Sequence, residues 1–168
     1  MIYCQKQEVF FMSQKHFLLA ALCASILSLA GCNGLGAGAY NNEKSIASDV
    51  NSYNLNNVTQ SNEGDTFSAQ VENMEGMDTI WDCSADAALE TELSYDITLY
   101  SGKVKLALIS PDEEVTTLVE LDSGKSAAGT VSFTLQPGEN RIKVVAGEDT
   151  GFDMSLTVPE GEFGSLGF

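Results

Sequence analysis

Chemistry in this chain has few places to reside. Of its four cysteines, Cys4 and Cys23 fall before residue 31, leaving Cys32 and Cys83 beyond it. The single histidine is His16. A chain with no histidine past residue 31 cannot assemble a Ser-His-Asp or Cys-His nucleophile. Two cysteines without histidine are also too few for a zinc site. Neither G-x-x-x-x-G-K-[ST] nor G-x-G-x-x-G occurs, so these phosphate-cradling loops are absent as well. What remains is a thiol at Cys32 beside the small residues Ala30 and Gly31, a wealth of carboxylates, and a few aromatic rings.

Cys32 gains meaning from what precedes it. Phe17–Ala30 is an apolar run of 14 residues behind Lys15 and His16. Crossing a bilayer takes about 20 residues, whereas 10–14 suit the hydrophobic region of a signal peptide. The run is apolar all round, which is wrong for an amphipathic core helix. Leu29-Ala30-Gly31-Cys32 resembles the lipobox of bacterial lipoproteins. The resemblance implies that the Cys32 sulfur takes a diacylglyceryl group and that the chain is cut between Gly31 and Cys32. Two acyl chains suffice for stable anchoring. Residues 1–31 are thus expected to be a signal peptide, with Met12 as a more conventional start than Met1. The location expected is the extracytoplasmic face of a cell membrane, with membrane lipid as a partner.

Past residue 31 the chain keeps six of its eight basic residues and 23 of its 24 acidic ones, a formal charge of −17. Such a surface repels nucleic acid. With Cys32 acylated, Cys83 has no disulfide partner and is expected as a small buried hydrophobe. No cofactor is implied. Carboxylate-dependent hydrolysis needs two acids across a cleft, and 23 acids nominate no particular pair. For calcium, Glu72, Glu75 and Asp78, and Glu148, Asp149 and Asp153, have oxygen-rich spacing. Neither set matches a calcium-loop motif, and no metal site is assigned.

Any site must be positioned by strands. Leu93, Tyr95, Ile97 and Leu99 alternate with polar residues, as do Val104, Leu106 and Leu108. The pattern continues at Val115, Val119 and Leu121; at Val131, Phe133 and Leu135; at Ile142 and Val144; and at Phe152, Met154, Leu156 and Val158. Period-two patterning means half-buried antiparallel strands. Ser101-Gly102, Pro111-Asp112 and Pro137-Gly138 supply turns. Strands around "FSAQV" and "DTIWDC" bring the count to about eight. The expected fold is all-β, a single antiparallel, jelly-roll-like sandwich over residues 65–159, with residues 160–168 a C-terminal tail. Residues 32–64, rich in asparagine and poor in apolar residues, read as a lipidated flexible tether.

The segment Leu93–Val158, through "SGKVKLALISPDEEVTTLVE" and "LQPGENRIKVVAGEDTGFDMSL", resembles a sandwich domain of small lipoproteins of Gram-positive bacteria. More distantly it is similar to the bacterial pre-peptidase C-terminal domain. The resemblance implies a fold and no catalytic residue. The function expected is therefore non-catalytic, a binding or structural role at the cell envelope. The partner expected is a cell-wall glycan or an extracellular protein; the alternative function is a glycan-binding module of the cell surface, or else an extracytoplasmic carboxylate-dependent hydrolase. Trp81 and Tyr100 are the candidate sugar-stacking rings; the competing reading makes Trp81 a core plug and Tyr100 a solitary exposed ring.

Overall fold

The computed structural model describes residues 35–122 and 124–167. The expected signal peptide, Gly31 and Cys32 lie outside the described residues. The described residues form one compact unit. It contains helices α1 (Leu35–Tyr40) and α2 (Glu43–Ala47), then strands β1 (Ser52–Glu63), β2 (Thr66–Ala85), β3 (Leu89–Ser101) and β4 (Lys103–Ile109). These are followed by β5 (Val115–Asp122), β6 (Ser126–Leu135), β7 (Gly138–Thr157) and β8 (Glu162–Phe163). No helix among the described residues is long and apolar enough to cross a membrane.

The strands form one open antiparallel sheet that folds over into a two-layer sandwich. The fold turns on β2 and β7, each 20 residues long and paired along nearly their whole length. Their register slips twice here: from Val71 to Met74 three steps of β2 span two of β7, and from Met74 to Gly76 two steps of β2 span four of β7. Bulges of this kind bend and twist a strand, so each long strand serves both layers. Gly76 sits in the bend with φ 105°, where a β-carbon would lie 2.1 Å from the Ser52 carbonyl oxygen. Only glycine fits there.

The first layer therefore runs β1, first half of β2, second half of β7, β3, β6. The second runs β8, second half of β2, first half of β7, β4, β5. Counted by halves, the order is that of a jelly roll. The eight strands are not the eight read from the sequence. "FSAQV" and "DTIWDC" fuse into β2, and the last two alternating segments fuse into β7. β1 and β8 make up the number.

The inward residues of both layers form the main core, with Phe67, Trp81, Leu93, Ile97, Leu106, Val144, Phe152 and Leu156 fully buried. Every inward position expected from the alternation belongs to this core or packs against it except Val115. The β4–β5 register slips between Leu106 and Ala107, which turns Val115 to the outer face, where it packs on a second cluster.

That second cluster overturns the tether. Met77, Ala107, Ile109 and Val145 point out of the second layer, and Tyr40, Ile46 and Ala47 from α1 and α2 cover them. β4 and the first half of β7 are buried on both faces, their outward phase mixing Lys105, Arg141 and Lys143 with Ala107, Ile109 and Val145. Asn42 caps α2, its side chain accepting from Ser45 N–H at 3.2 Å. Tyr40 donates its hydroxyl to Glu120 at 2.8 Å, and its ring lies under Lys103 and Lys105. Buried Lys143 donates to the carbonyls of Ser48 and Val50 at 2.6 and 3.1 Å. Burial, then the Arg141 charge, draws its pKa down to about 8. Beyond residue 51 the asparagine-rich stretch is β1, paired with β2 from Ser52 to Glu63.

The C-terminal residues are likewise structural. β8 pairs with Trp81 and Asp82, Phe163 stacks on Phe67, and Leu166 is fully buried. Gln60 of β1 holds the Leu166 backbone through both amide atoms, at 3.1 and 2.8 Å. Asn62 donates to the carbonyls of Phe163 and Gly164. Gly167 N–H donates at 2.7 Å to Asp78, a buried carboxylate whose pKa burial pushes up. The sandwich thus extends to residue 167 rather than ending at 159.

Candidate functional site

The outer face of the first layer is open, and its residues come into line by register. Side chains alternate across a strand, so paired positions share a face. One row across the sheet is Ser61, Ser68, Ser155, Asp96 and Ala128; the next is Thr59, Gln70, Asp153, Thr98 and Ser126. Beyond the first lie Glu63, Thr66, Thr157, Ser94 and Thr130. The face is a lattice of hydroxyls, amides and carboxylates. It carries the acids Glu63, Glu72, Glu90, Glu92, Asp96 and Asp153, and no lysine or arginine.

Two adjoining hollows follow it, of about 510 Å³ and 620 Å³, sharing Thr59, Gln70 and Asp153. The second is walled at one end by Tyr100. Tyr100 sits in a bulge, since β3 pairs Leu99 with Phe152 and Ser101 with Gly151 and leaves the residue between unpaired. Its ring follows the outward phase of Asp96 and Thr98, and Tyr100 stays 60% exposed. Its hydroxyl donates at 2.5 Å to Asp153, which also accepts from Gln70 at 3.5 Å. The bond to Asp153 raises the phenol pKa. An exposed ring pinned by its hydroxyl offers a fixed apolar surface beside a field of hydrogen-bonding groups. Thr66 bonds Thr157, Ser94 bonds Thr130, and Ser126 donates to Thr98. The hydroxyls hold one another and leave their remaining donors and acceptors toward solvent.

Of the two rings expected to stack on sugar, the structure puts only Tyr100 on this face. Trp81 is 1% exposed, edge-on to Phe133 at 6.3 Å, and its indole N–H donates to the Glu160 carbonyl at 2.8 Å. Trp81 is a core residue. The bulge between Thr79 and Trp81 turns it inward, and the C-terminal segment closes over it: Gly161, at φ 74°, approaches so closely that a β-carbon would lie 2.7 Å from the indole. Cys83 packs against the same core, and burial raises its thiol pKa, which keeps it protonated.

The acidic sets disperse. Glu72 accepts from Asn57 at 2.6 Å, whereas Asp78 faces the interior. Asp149 accepts from Asn73 at 3.1 Å, and Asp153 belongs to the polar face. Among the described residues no three acid, cysteine or histidine side chains gather to hold a metal. Sequence reasoning passed over Gln70, Asp96 and Thr98, and weighed Asp153 only as a calcium ligand. They occupy the polar phase of the alternation, which the sequence marks only as solvent-facing.

No family model matches this chain, the pre-peptidase C-terminal domain included, and no curated protein matches it. Among solved structures, a mutant family 29 carbohydrate-binding module complexed with mannohexaose is similar at 14% identity. It has a TM-score of 0.40 over 64% of this chain and 82% of that one. CBM4 is similar at 8% identity and a TM-score of 0.36, over 68% and 81%. The infectious bursal disease virus VP2 subviral particle is similar at 12% identity and a TM-score of 0.31, over 66% and 33%. Likeness at this level assigns neither family nor ligand.

Proposed function

We propose that this chain is a non-catalytic glycan-binding module of the bacterial cell surface, anchored by lipid on Cys32. The observation that carries the binding reading is the open face of the first layer, where a rigid exposed Tyr100 stands beside hydroxyl, amide and carboxylate groups. A sugar ring presents C–H groups on its faces and hydroxyls around its rim, and this face matches both. The charges narrow the ligand. A face of carboxylates without a cation would repel uronic, sulfated or phosphate-linked polymers, so the ligand is an uncharged polysaccharide. One aromatic ring and open hollows make each site weak, with a Kd of about 0.1–1 mM.

Tyr100→Ala is expected to reduce retardation of the chain from Asn33 onward in gels containing uncharged polysaccharides by about tenfold or more, with stability unchanged within about 0.5 kcal/mol. Tyr100→Phe, keeping the ring but losing its tether to Asp153, should fall between. Retardation by uronic-acid polymers alone would sink the uncharged class, and retardation by no glycan would sink the whole reading.

The anchor rests on the apolar run and the Leu29–Cys32 motif. With α1 starting three residues after Cys32, an acyl chain there would hold the domain within roughly 10 Å of the headgroups. Cys32→Ser is expected to abolish palmitate labelling and membrane fractionation together. A Cys32→Ser protein still labelled and sedimenting with membranes would refute lipidation at that sulfur.

A further inference from the structure

The two hollows of the open face adjoin along the strands, not across them. Thr59, Gln70 and Asp153, one row across β1, β2 and β7, line both. On one side of that row the first hollow reaches Ser155 and Asp96, which pair with each other. On the other side the second hollow ends at the Tyr100 ring. The next row beyond Asp96, at Ser94 and Thr157, lines neither hollow. The track therefore has two ends. From Tyr100 to Asp96 along β3 is about 13 Å at the rise of an extended strand. That is longer than one sugar ring and shorter than a long oligosaccharide.

Asp153 stands in the middle row, and its two oxygens differ. Oδ2 accepts from the Tyr100 hydroxyl at 2.5 Å and from the Gln70 amide at 3.5 Å. Those bonds fix the plane of the carboxylate. Oδ1 accepts from no described residue. Of the other acids lining the hollows, Glu72 is engaged by Asn57 at 2.6 Å, and Asp96 stands at the far end. A carboxylate can only accept. The free oxygen therefore calls for a donor, and the donors an uncharged glycan carries in number are its ring hydroxyls. A hydrogen bond to an ionised acceptor is about twice as strong as a neutral one.

We infer that one glycan chain runs through both hollows, about three sugar units long from Tyr100 to Asp96, with Asp153 Oδ1 accepting a ring hydroxyl at its middle. Resting on the glycan-binding reading, this track fixes the length of the ligand and the residue that selects it. Tyr100 supplies stacking that many pyranose faces satisfy. Asp153 supplies the selection, because a sugar with that hydroxyl methylated leaves the oxygen without its donor.

The test is isothermal titration of the chain from Asn33 onward with cello-, manno- and malto-oligosaccharides of increasing length, from monosaccharide to hexasaccharide. In a series that binds, affinity is expected to climb to the trisaccharide and then to change by less than about twofold. Asp153→Asn keeps the shape and loses the charge. It should weaken trisaccharide binding about fivefold or more, with thermal unfolding unchanged. A Tyr100→Phe background separates contact from support. Asp153→Asn should cost as much there, because the carboxylate touches the sugar and does not act only by holding the ring. An affinity already level at the monosaccharide, or still climbing at the hexasaccharide, overturns the track. A loss that vanishes in the Tyr100→Phe background overturns Asp153 as a ligand contact. Failure of every series while polysaccharide gels still retard the chain also overturns the track and spares the glycan reading. Failure of both removes the two together.

Discussion

Trp81→Ala is expected to destabilise the domain by about 3–5 kcal/mol, the cost of opening a large cavity in a packed core. The indole is enclosed by the two layers and the C-terminal segment, and its edge-on contact with Phe133 goes with it. The loss also orphans the Glu160 carbonyl that accepts from the indole, adding about 1 kcal/mol. Against a total stability of about 5–15 kcal/mol for a domain, that is enough to leave a fraction of molecules unfolded at growth temperature. The measurement is the midpoint of urea unfolding with the slope unchanged. Folded Trp81→Ala protein should keep its glycan retardation, because Trp81 does not reach the open face. Lost retardation at unaltered stability would put Trp81 back among the ligand contacts.

The second large effect concerns where the domain begins. A chain starting at Asp65 contains every strand read from the alternation, yet it is expected to give no cooperative thermal transition. It lacks the eleven paired positions that β1 contributes to the edge of β2. It lacks Gln60 and Asn62, which hold the C-terminal segment, so Leu166 and the cover over Trp81 are loosened as well. It also bares Met77, Ala107, Ile109 and Val145. A chain starting at Ser52 restores β1 but not the helices. Exposing Tyr40, Ile46 and their partners should leave it about 3–6 kcal/mol less stable than one starting at Asn33. The check is a set of circular dichroism melts on the three chains. Equal stability of the Asp65 and Asn33 chains would mean that residues 35–63 are dispensable after all.

These truncations bear on what was readable beforehand. Alternation is local: each strand residue sends its side chain to one face regardless of what comes next. Leu93 to Leu99, Val104 to Leu108 and Phe152 to Val158 therefore announced their inward faces correctly. Tyr100 was legible as exposed for the same reason, being out of phase with its strand. β1 was not legible. Its inward positions include Gln60 and Asn62, amides that look like loop residues until the backbone of residues 163–166, about a hundred positions away, arrives to pair with them. The bends that fuse four short strands into β2 and β7 were equally hidden, because continuous pairing is a property of two chains side by side.

The sequence by itself determined the all-β class, nearly all of the inward core positions and the acidic character. It also ruled out histidine-dependent chemistry and marked Cys32 as the residue expected to carry lipid. Composition and period-two spacing are facts about neighbouring residues, and they survive without knowledge of the partner strand. Only the tertiary structure decided that Trp81 is core and that residues 35–63 and 160–167 belong to the domain. It alone gathered Asp96, Asp153, Gln70 and Tyr100 onto one face. Those outcomes depend on which strands meet and in what register, and long-range packing settles that where no local pattern records it.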